Sequence, residues 1–348
     1  MKAREAQALL GGPPNWGDIN VAHIDTGVTA HPALGSWVDV SIGKNYLEPQ
    51  NPPIDPMDTH AMNAGHGTRT CGVLTGMLGG TFAGVAPKVP VVPYRVTDSV
   101  VLASGRVRAN IASAILDAIN SKACEVVTIS LGIPQLSLFN HVLGEAVDQA
   151  YERGVIIVAA GGQIVDSICY PGKFYRTIGV GGYTGFVGNQ GIYVSYGLDG
   201  SMNGFVDAWA PANPVWRPTV EHGSDGLDYG YGFGDGTSFA TPHVSAAAAM
   251  WLYYREKDIA TAYKEPWMRV EAFRLLLKRT AQDLKTLGYR GFDAMRPAGS
   301  TEKPPGKGNA DASGRYVSGG LDILALLKAD LPAHTDLTMA SEAKKQWA

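Results

Sequence analysis

Five apolar, β-branched runs, separated by segments of helical periodicity, restrict the folds open to this chain. They are INVAHID (19–25), VPVVPYRV (89–96), EVVTISL (125–131), GVIIVAA (154–160) and TIGVGG (177–182). Several are apolar at successive positions rather than alternate ones, the pattern of strands covered on both faces. Residues 66–78, 106–121 and 137–152 carry apolar positions at helical spacing with few breakers. Such alternation predicts an α/β fold, a three-layer sandwich with a mostly parallel central sheet flanked by helices. The stretch FATPHVSAAAAMWLYYREK (239–257) predicts another helix, because Pro242 is tolerable only in a first turn and the alanines suit close packing. Further helices are predicted at 267–281 and 319–329, and the opening MKAREAQALLGG is charged and helical.

No break in composition requires a second domain. Residues 1–330 are expected to form one domain, with the Pro- and Gly-rich stretch 282–316 as a surface loop and 331–348 as a loosely held tail. Hydrophobic residues make up 45% and charged ones 18%, enough to bury a large core. The formal net charge is −3 with both signs dispersed, which argues against nucleic-acid or membrane-surface partners. Cys71, Cys124 and Cys169 are odd in number and lack metal-ligand spacing, so neither a disulfide framework nor a zinc site is expected. No apolar run approaches the roughly 18 residues that cross a bilayer, and the N-terminus lacks a signal-peptide pattern. A soluble chain is expected, in the cytoplasm rather than secreted. The sequence does not bear on oligomeric state.

Three short segments carry chemistry. HIDTGV puts Asp25 at the end of an apolar strand, GHGTRTCGVLTG puts His66 between glycines at a helix start, and GTSFATP puts Ser238 at another. A serine hydroxyl is a poor nucleophile until a base takes its proton, and an imidazole base works best when a carboxylate fixes its tautomer. The start of a helix also supplies free N–H groups for a developing oxyanion. Each segment alone is weak: DTG is often a turn, GHG a loop, GTS a helix cap. Their order, Asp then His then Ser, matches one of the known triad orders, whereas an α/β-hydrolase would need G-x-S-x-G with its partners after the serine. Ala240 stands where that last glycine would fall.

VAHIDTG, HGTRTCG and GTSFATPHVSAAAA resemble the aspartate strand, histidine helix and serine helix of the subtilisin-like serine proteases, the subtilases. FAGVAPKVPVVPYRV (82–96), VDAWAPA (206–212) and SGGLDILALL (318–327) resemble supporting segments, so the likeness covers roughly 17–330. It implies a subtilisin-like fold and a serine endopeptidase acting on peptide or protein substrates. Asp25 would orient, His66 act as base and then acid, and Ser238 attack. Two other readings stand beside this one: a catalytically silent subtilase fold that binds peptides, and a peptide-joining enzyme that passes the acyl group to an amine.

The pattern breaks at one informative place. Where the family carries an Asn whose amide donates to the oxyanion, this chain reads VAAGGQIVDSICYPG, with Gly162 in that position and Gln163 next. The longer amide of Gln163 is the expected replacement. Only 24 residues precede Asp25, which suggests a mature form or a member that folds unaided. By the same resemblance a substrate strand would pair beside Ser130, Leu131 and Gly132, with 102–106 as the opposite edge. Ser130–Gly132 and Ala159, Ala160 and Gly161 would wall a medium apolar pocket with Cys169 near its floor. Cys71 and Cys124 are expected to pack the core. His23 faces the same side of its strand as Asp25 and reads as packing rather than tuning, and His31 and His243 read as structural. No cofactor is required. Structural calcium could be held by Asp55 and Asp58 with Asn51, although a solvated acidic loop is the simpler reading.

Overall fold

The computed structural model describes residues 1–58, 61–100, 102, 104–134, 141–163, 168–185, 190–192, 206–284, 286–289 and 319–347. In chain order the elements that shape the site are α1 (Ala3–Leu9), β1 (Val21–Asp25), β2 (Lys44–Asn45), α2 (His66–Thr75), β3 (Met77–Leu78), β4 (Phe82–Ala83), β5 (Val91–Arg95) and α3 (Gly105–Ser121). They continue with β6 (Val126–Ile129), α4 (His141–Glu152), β7 (Ile156–Ala160), β8 (Ile178–Thr184), β9 (Gly191–Ile192) and β10 (Ala208–Asn213). A hairpin, β11 (Val215–Gly223) and β12 (Gly226–Gly234), leads into α5 (Thr237–Tyr254), α6 (Glu256–Ala262), α7 (Trp267–Arg279) and α8 (Ile323–Lys328).

Seven parallel strands run in the order β10-β8-β7-β6-β1-β5-β2, and β9 adds antiparallel to β8. All five predicted strands lie in this sheet. Successive residues of each strand enter opposite layers, because side chains alternate across a pleat. Val21, Val91, Val126 and Ile156 join the core under α5, whereas Ala22, Val92, Val127 and Ile157 join the core under α3 and α4. Both faces are covered, hence runs with no polar alternation. From β1 the chain steps to β5 on one side and then returns to β6 on the other, so the sheet reverses its winding between β1 and β6. A crevice at the carboxyl ends of strands is where such sheets bind ligands.

The structure departs from the sequence expectations at a hairpin and at the closing residues. The hairpin β11–β12 was not foreseen, because GLDYGYGFG is rich in the Gly and Asp that strands usually avoid. The loop expected at 282–316 lies mostly outside the described residues, although Gln282 pairs with Gly320. The residues after 330 are not loosely held. Asp148 of α4 accepts the N–H groups of Ala343 (2.7 Å) and Lys344 (3.1 Å). Arg176 Nε donates to the carbonyl of Ala340, and Gln346 bridges Lys173 and Tyr175. Among the described residues no helix is long and apolar enough to cross a membrane.

Asp148 also pairs with the buried Arg176 at 3.1 Å. Asp148→Ala therefore leaves two N–H groups without an acceptor and Arg176 with the exposed Glu152 (2.9 Å) as its remaining acidic partner, and should cost about 2–4 kcal/mol. The midpoint of denaturant unfolding checks this, with Val142→Ala, on the exposed face of the same helix, expected to shift it by less than about 0.5 kcal/mol.

Candidate active site

Asp25 ends β1 and His66 opens α2, and two glycines let these ends touch. A Cβ on Gly67 would lie 2.1 Å from the Gly27 carbonyl oxygen and 3.2 Å from Cβ of Asp25. Polar stitches hold the approach. Thr26 Oγ1 accepts from the Gly67 N–H (3.1 Å) and donates to Asp55 (2.7 Å). Asp55 accepts in addition from the N–H groups of Gly65 (2.8 Å) and Met57 (2.9 Å), and its carbonyl accepts from Thr29 Oγ1. With its carboxylate filled by three donors and buried, Asp55 is a clamp between loops rather than a calcium ligand. Of the other residues expected for calcium, Asn51 donates its amide N–H to Glu48. The described residues contain no cluster of three or more potential metal ligands.

Within this joint His66 Nδ1 lies 2.7 Å from Asp25 Oδ1, with both side chains buried. The Thr26 N–H donates to the same oxygen (2.8 Å), and Thr70 Oγ1 lies 3.2 Å from the other. Burial opposes ionisation of Asp25. The charge and hydrogen bond of His66, with His23 and the Thr26 N–H, outweigh it and hold the carboxyl below its usual range. His23 Nε2 stands 2.9 Å from Thr70 Oγ1. If Thr70 donates to Asp25, His23 must donate to Thr70, which leaves its Nδ1 as a bare acceptor. That nitrogen has no partner. Burial pushes the His23 pKa down to about 4, so the ring is neutral. His23 thus packs, as expected, and also touches the carboxylate's support through Thr70, a link its i, i+2 spacing to Asp25 only hinted at.

Ser238 is the second residue of α5. Its hydroxyl donates to the Ser130 carbonyl (2.9 Å), and the Ser130 hydroxyl donates to the Ser238 carbonyl (2.8 Å). This reciprocal pair ties the end of β6 to the serine helix. No hydrogen bond joins Ser238 to His66 in this conformation, yet both line one cavity of about 270 Å³.

The cavity is lined as well by Ser130, Gly132, Ala160, Gly162, Gln163 and Cys169, and by Met62, Asn63, Arg69, Arg217, Asp235 and Phe239. Of the residues expected to form the pocket, Leu131, Ala159 and Gly161 do not line it. Strand alternation turns Leu131 and Ala159 into the core, and Gly161 bonds to Val180 of β8. Of the stretch 102–106, Ala103 lies outside the described residues, Leu102 is buried, and Ser104 caps α3.

The break in the family pattern has a steric cause. Gly162 has φ +91°, and a Cβ there would stand 2.5 Å from Cys169 Sγ. No side chain fits at 162 beside that thiol, so any amide must come from elsewhere. Gln163 Oε1 accepts the Thr237 N–H at 2.7 Å, satisfying an orphan donor at the start of α5. A backbone N–H can only donate, so the amide oxygen is fixed toward Thr237 and Nε2 is left over. Nε2 has no partner among the described residues.

The model of the Subtilase family matches residues 17–299. The chain belongs to the subtilase family of serine proteases. Subtilisin BL of Lederbergia lenta is 29% identical over 285 residues, spanning 81% of this chain and 90% of that one. The major intracellular serine protease of Bacillus subtilis is 29% identical over 313 residues, spanning 83% and 86%. Among solved structures, MycP1 with its N-terminal propeptide removed aligns with TM-score 0.62 at 20% identity over 95% of this chain and 96% of that one. A protease from Pseudoalteromonas arctica aligns with TM-score 0.62 at 22% identity over 90% and 91%. These likenesses support the subtilisin-like fold read from the sequence.

Elsewhere in the subtilase the remaining candidates are structural. Cys71 and Cys124 are buried, and burial pushes the Cys124 thiol up to about 12. Cys169 lies in the cavity wall, its thiol pushed up to about 11 by burial. His31 accepts from the Ala33 N–H and its other nitrogen meets the Gly230 carbonyl. His243 is bonded to the Phe239 carbonyl one turn back. Sequence reasoning missed Thr70, Arg69 and Arg217. Arg69 could have been found from its i, i+3 spacing to His66 on one helix face, whereas nothing local marks Arg217.

The depressed pKa of His23 sets a sign for stability. An unfolded chain takes a proton at about pH 6.5 and the folded one only near 4, so stability falls as pH drops through that window. Gln at 23 keeps an amide donor for Thr70 and does not titrate. Between pH 7 and 4 the wild type should therefore lose up to about 3 kcal/mol more than His23→Gln, read from denaturant unfolding at each pH.

Proposed function

We propose that this subtilase is a serine endopeptidase that cleaves peptide bonds through an acyl-enzyme, with residues 1–330 as its catalytic unit. The observation that carries the reading is the Asp25–His66 hydrogen bond, which opens onto a cavity shared with Ser238. The carboxylate holds the proton on His66 Nδ1, so the Nε2 lone pair is available to the cavity. A substrate strand pairs beside Ser130 and Gly132. When a substrate N–H takes the Ser130 carbonyl, the Ser238 hydroxyl loses its acceptor and turns to His66. His66 removes the proton as Oγ attacks the carbonyl carbon. The oxyanion receives the Ser238 N–H, a free donor at the start of α5, and the Nε2 amide of Gln163. His66 then passes its proton to the leaving amine, and water releases the acyl group by the same route. No observation favours a silent binding protein or a peptide-joining enzyme. The only insert available to shield an acyl-enzyme, 282–316, lies mostly outside the described residues.

A serine-directed fluorophosphonate should label Ser238, and Ser238→Ala should lose both labelling and cleavage; folded wild type that resists the reagent refutes the reading. Asp25→Asn should lower kcat by on the order of 10⁴, by losing the correct imidazole tautomer. Gln163→Ala should lower kcat by about 10²–10³ with KM little changed. A kcat/KM within about twofold of wild type would remove Gln163 from the oxyanion site.

A further inference from the structure

The arginines of the core have acidic partners: Arg95 meets Glu48, Arg176 meets Asp148, and Arg274 meets Asp207 and Glu271. The two that line the candidate active site do not. Arg69, one turn beyond His66, donates Nη2 to the Asn63 carbonyl (3.2 Å) and forms no ion pair among the described residues. Arg217 comes from β11, crosses the hairpin against Gly234, and donates Nη1 to the Pro218 carbonyl at 3.3 Å. Its Nε is buried with no acceptor. Burial first, and then the charge of Arg69, lower the Arg217 pKa to about 10. The carboxylates of Asp55, Asp25 and Glu221 act on Arg69, and those of Asp235 and Glu221 on Arg217, each less strongly than burial does. Two partly desolvated guanidiniums thus line a common cavity, a setting that favours an arriving anion.

Position identifies the part of a substrate they would meet. The guanidinium of Arg217 stacks on the Phe239 ring at 4.8 Å, and that ring lies 6.3 Å from the His66 ring. Phe239 follows Ser238, Arg69 lies on the helix that His66 opens, and both arginines line the same cavity as Ser238. If the acyl side of the peptide pairs beside Ser130, the His66 and Phe239 side of the nucleophile, with its two arginines, is left for the departing side. We propose that Arg69 and Arg217 form a carboxylate-binding subsite for the leaving half of the peptide, so that preferred substrates carry a negative charge within about two residues after the scissile bond. The carboxylate is either an Asp or Glu side chain or a free C-terminus. The planar fork of Arg217, held by its aromatic stack, suits bidentate pairing with either. This subsite rests on the endopeptidase reading, and is compatible with an apolar pocket before the cut, where Ala160 and Cys169 line the cavity.

The test uses peptides identical before the cut and differing after it. One set carries Asp or Glu against Asn or Gln at the first and second positions; a second set ends there as free acid or amide. Carboxylate peptides should show kcat/KM at least about tenfold above their neutral matches, with the advantage shrinking between 0.05 and 1 M salt, values chosen about the Debye scale. The set that shows the preference identifies the source of the carboxylate. Arg69→Gln and Arg217→Gln should each bring the acid-to-neutral ratio to within about twofold of one. A wild-type ratio near one, or a ratio that survives both substitutions, overturns the subsite. Binding of the same fluorescent peptides to full-length Ser238→Ala separates the two claims. A carboxylate preference in affinity without any cleavage by wild type would sink the endopeptidase reading and keep the subsite, while cleavage without the preference would do the reverse.

Discussion

The candidate site depends on one steric fact: the end of β1 and the start of α2 meet backbone to backbone, with no room for a side chain at Gly67. That contact brings the Asp25 carboxylate within hydrogen-bond reach of the His66 imidazole although 41 positions separate them in sequence. Backbones this close bury polar groups that water would otherwise satisfy, and each unsatisfied one is costly. Asp55 and Thr26 absorb that cost by accepting from Gly65, Met57 and Gly67. An acidic residue that looks in sequence like part of a cation site is therefore a strut, and its burial is what makes the imidazole's position rigid.

The same logic explains why position 162 carries no side chain and the nearest amide stands one residue on, at Gln163. A thiol at 169 and a side chain at 162 cannot occupy the same space, and Gly162 has the left-handed backbone that glycine adopts at little cost. Gln163 reaches back over the start of α5 and is anchored by its oxygen on the Thr237 N–H. Anchoring an amide by its acceptor leaves its donor end directed by geometry, so the longer side chain need not be less well ordered than a shorter one. Cys169, Gly162 and Gln163 form a correlated set, and changing one alters the requirement on the others.

What could be read from the sequence was whatever local chemistry determines. Doubly covered strands announce themselves as unbroken apolar runs, and all five were placed in the sheet. The helix starts at His66 and Ser238 follow from glycines and Pro242. The hairpin at 215–234 was hidden because its stability comes from packing on α2, with Pro218 against Gly72 and Val220 against Gly65, rather than from strand-forming composition. The closing residues were misread for a related reason. Their order comes from Asp148 and Arg176, 195 and 164 positions from the residues they bond, and no local pattern records it. Arg217 was invisible on both counts, since it sits on the unforeseen hairpin and acts on a cavity made elsewhere.

The resting position of the Ser238 hydroxyl follows from the same economy of hydrogen bonds. In an apo cleft the Ser130 carbonyl would face the cavity unsatisfied, and the nearest donor is the serine hydroxyl. The two serines exchange hydrogen bonds and so close both ends of the cleft's polar inventory without substrate. A peptide strand that supplied its own N–H to Ser130 would replace that bond one for one and free the hydroxyl, which shares its cavity with the His66 imidazole. On the proposed reading, substrate pairing and nucleophile release are then a single exchange of hydrogen bonds.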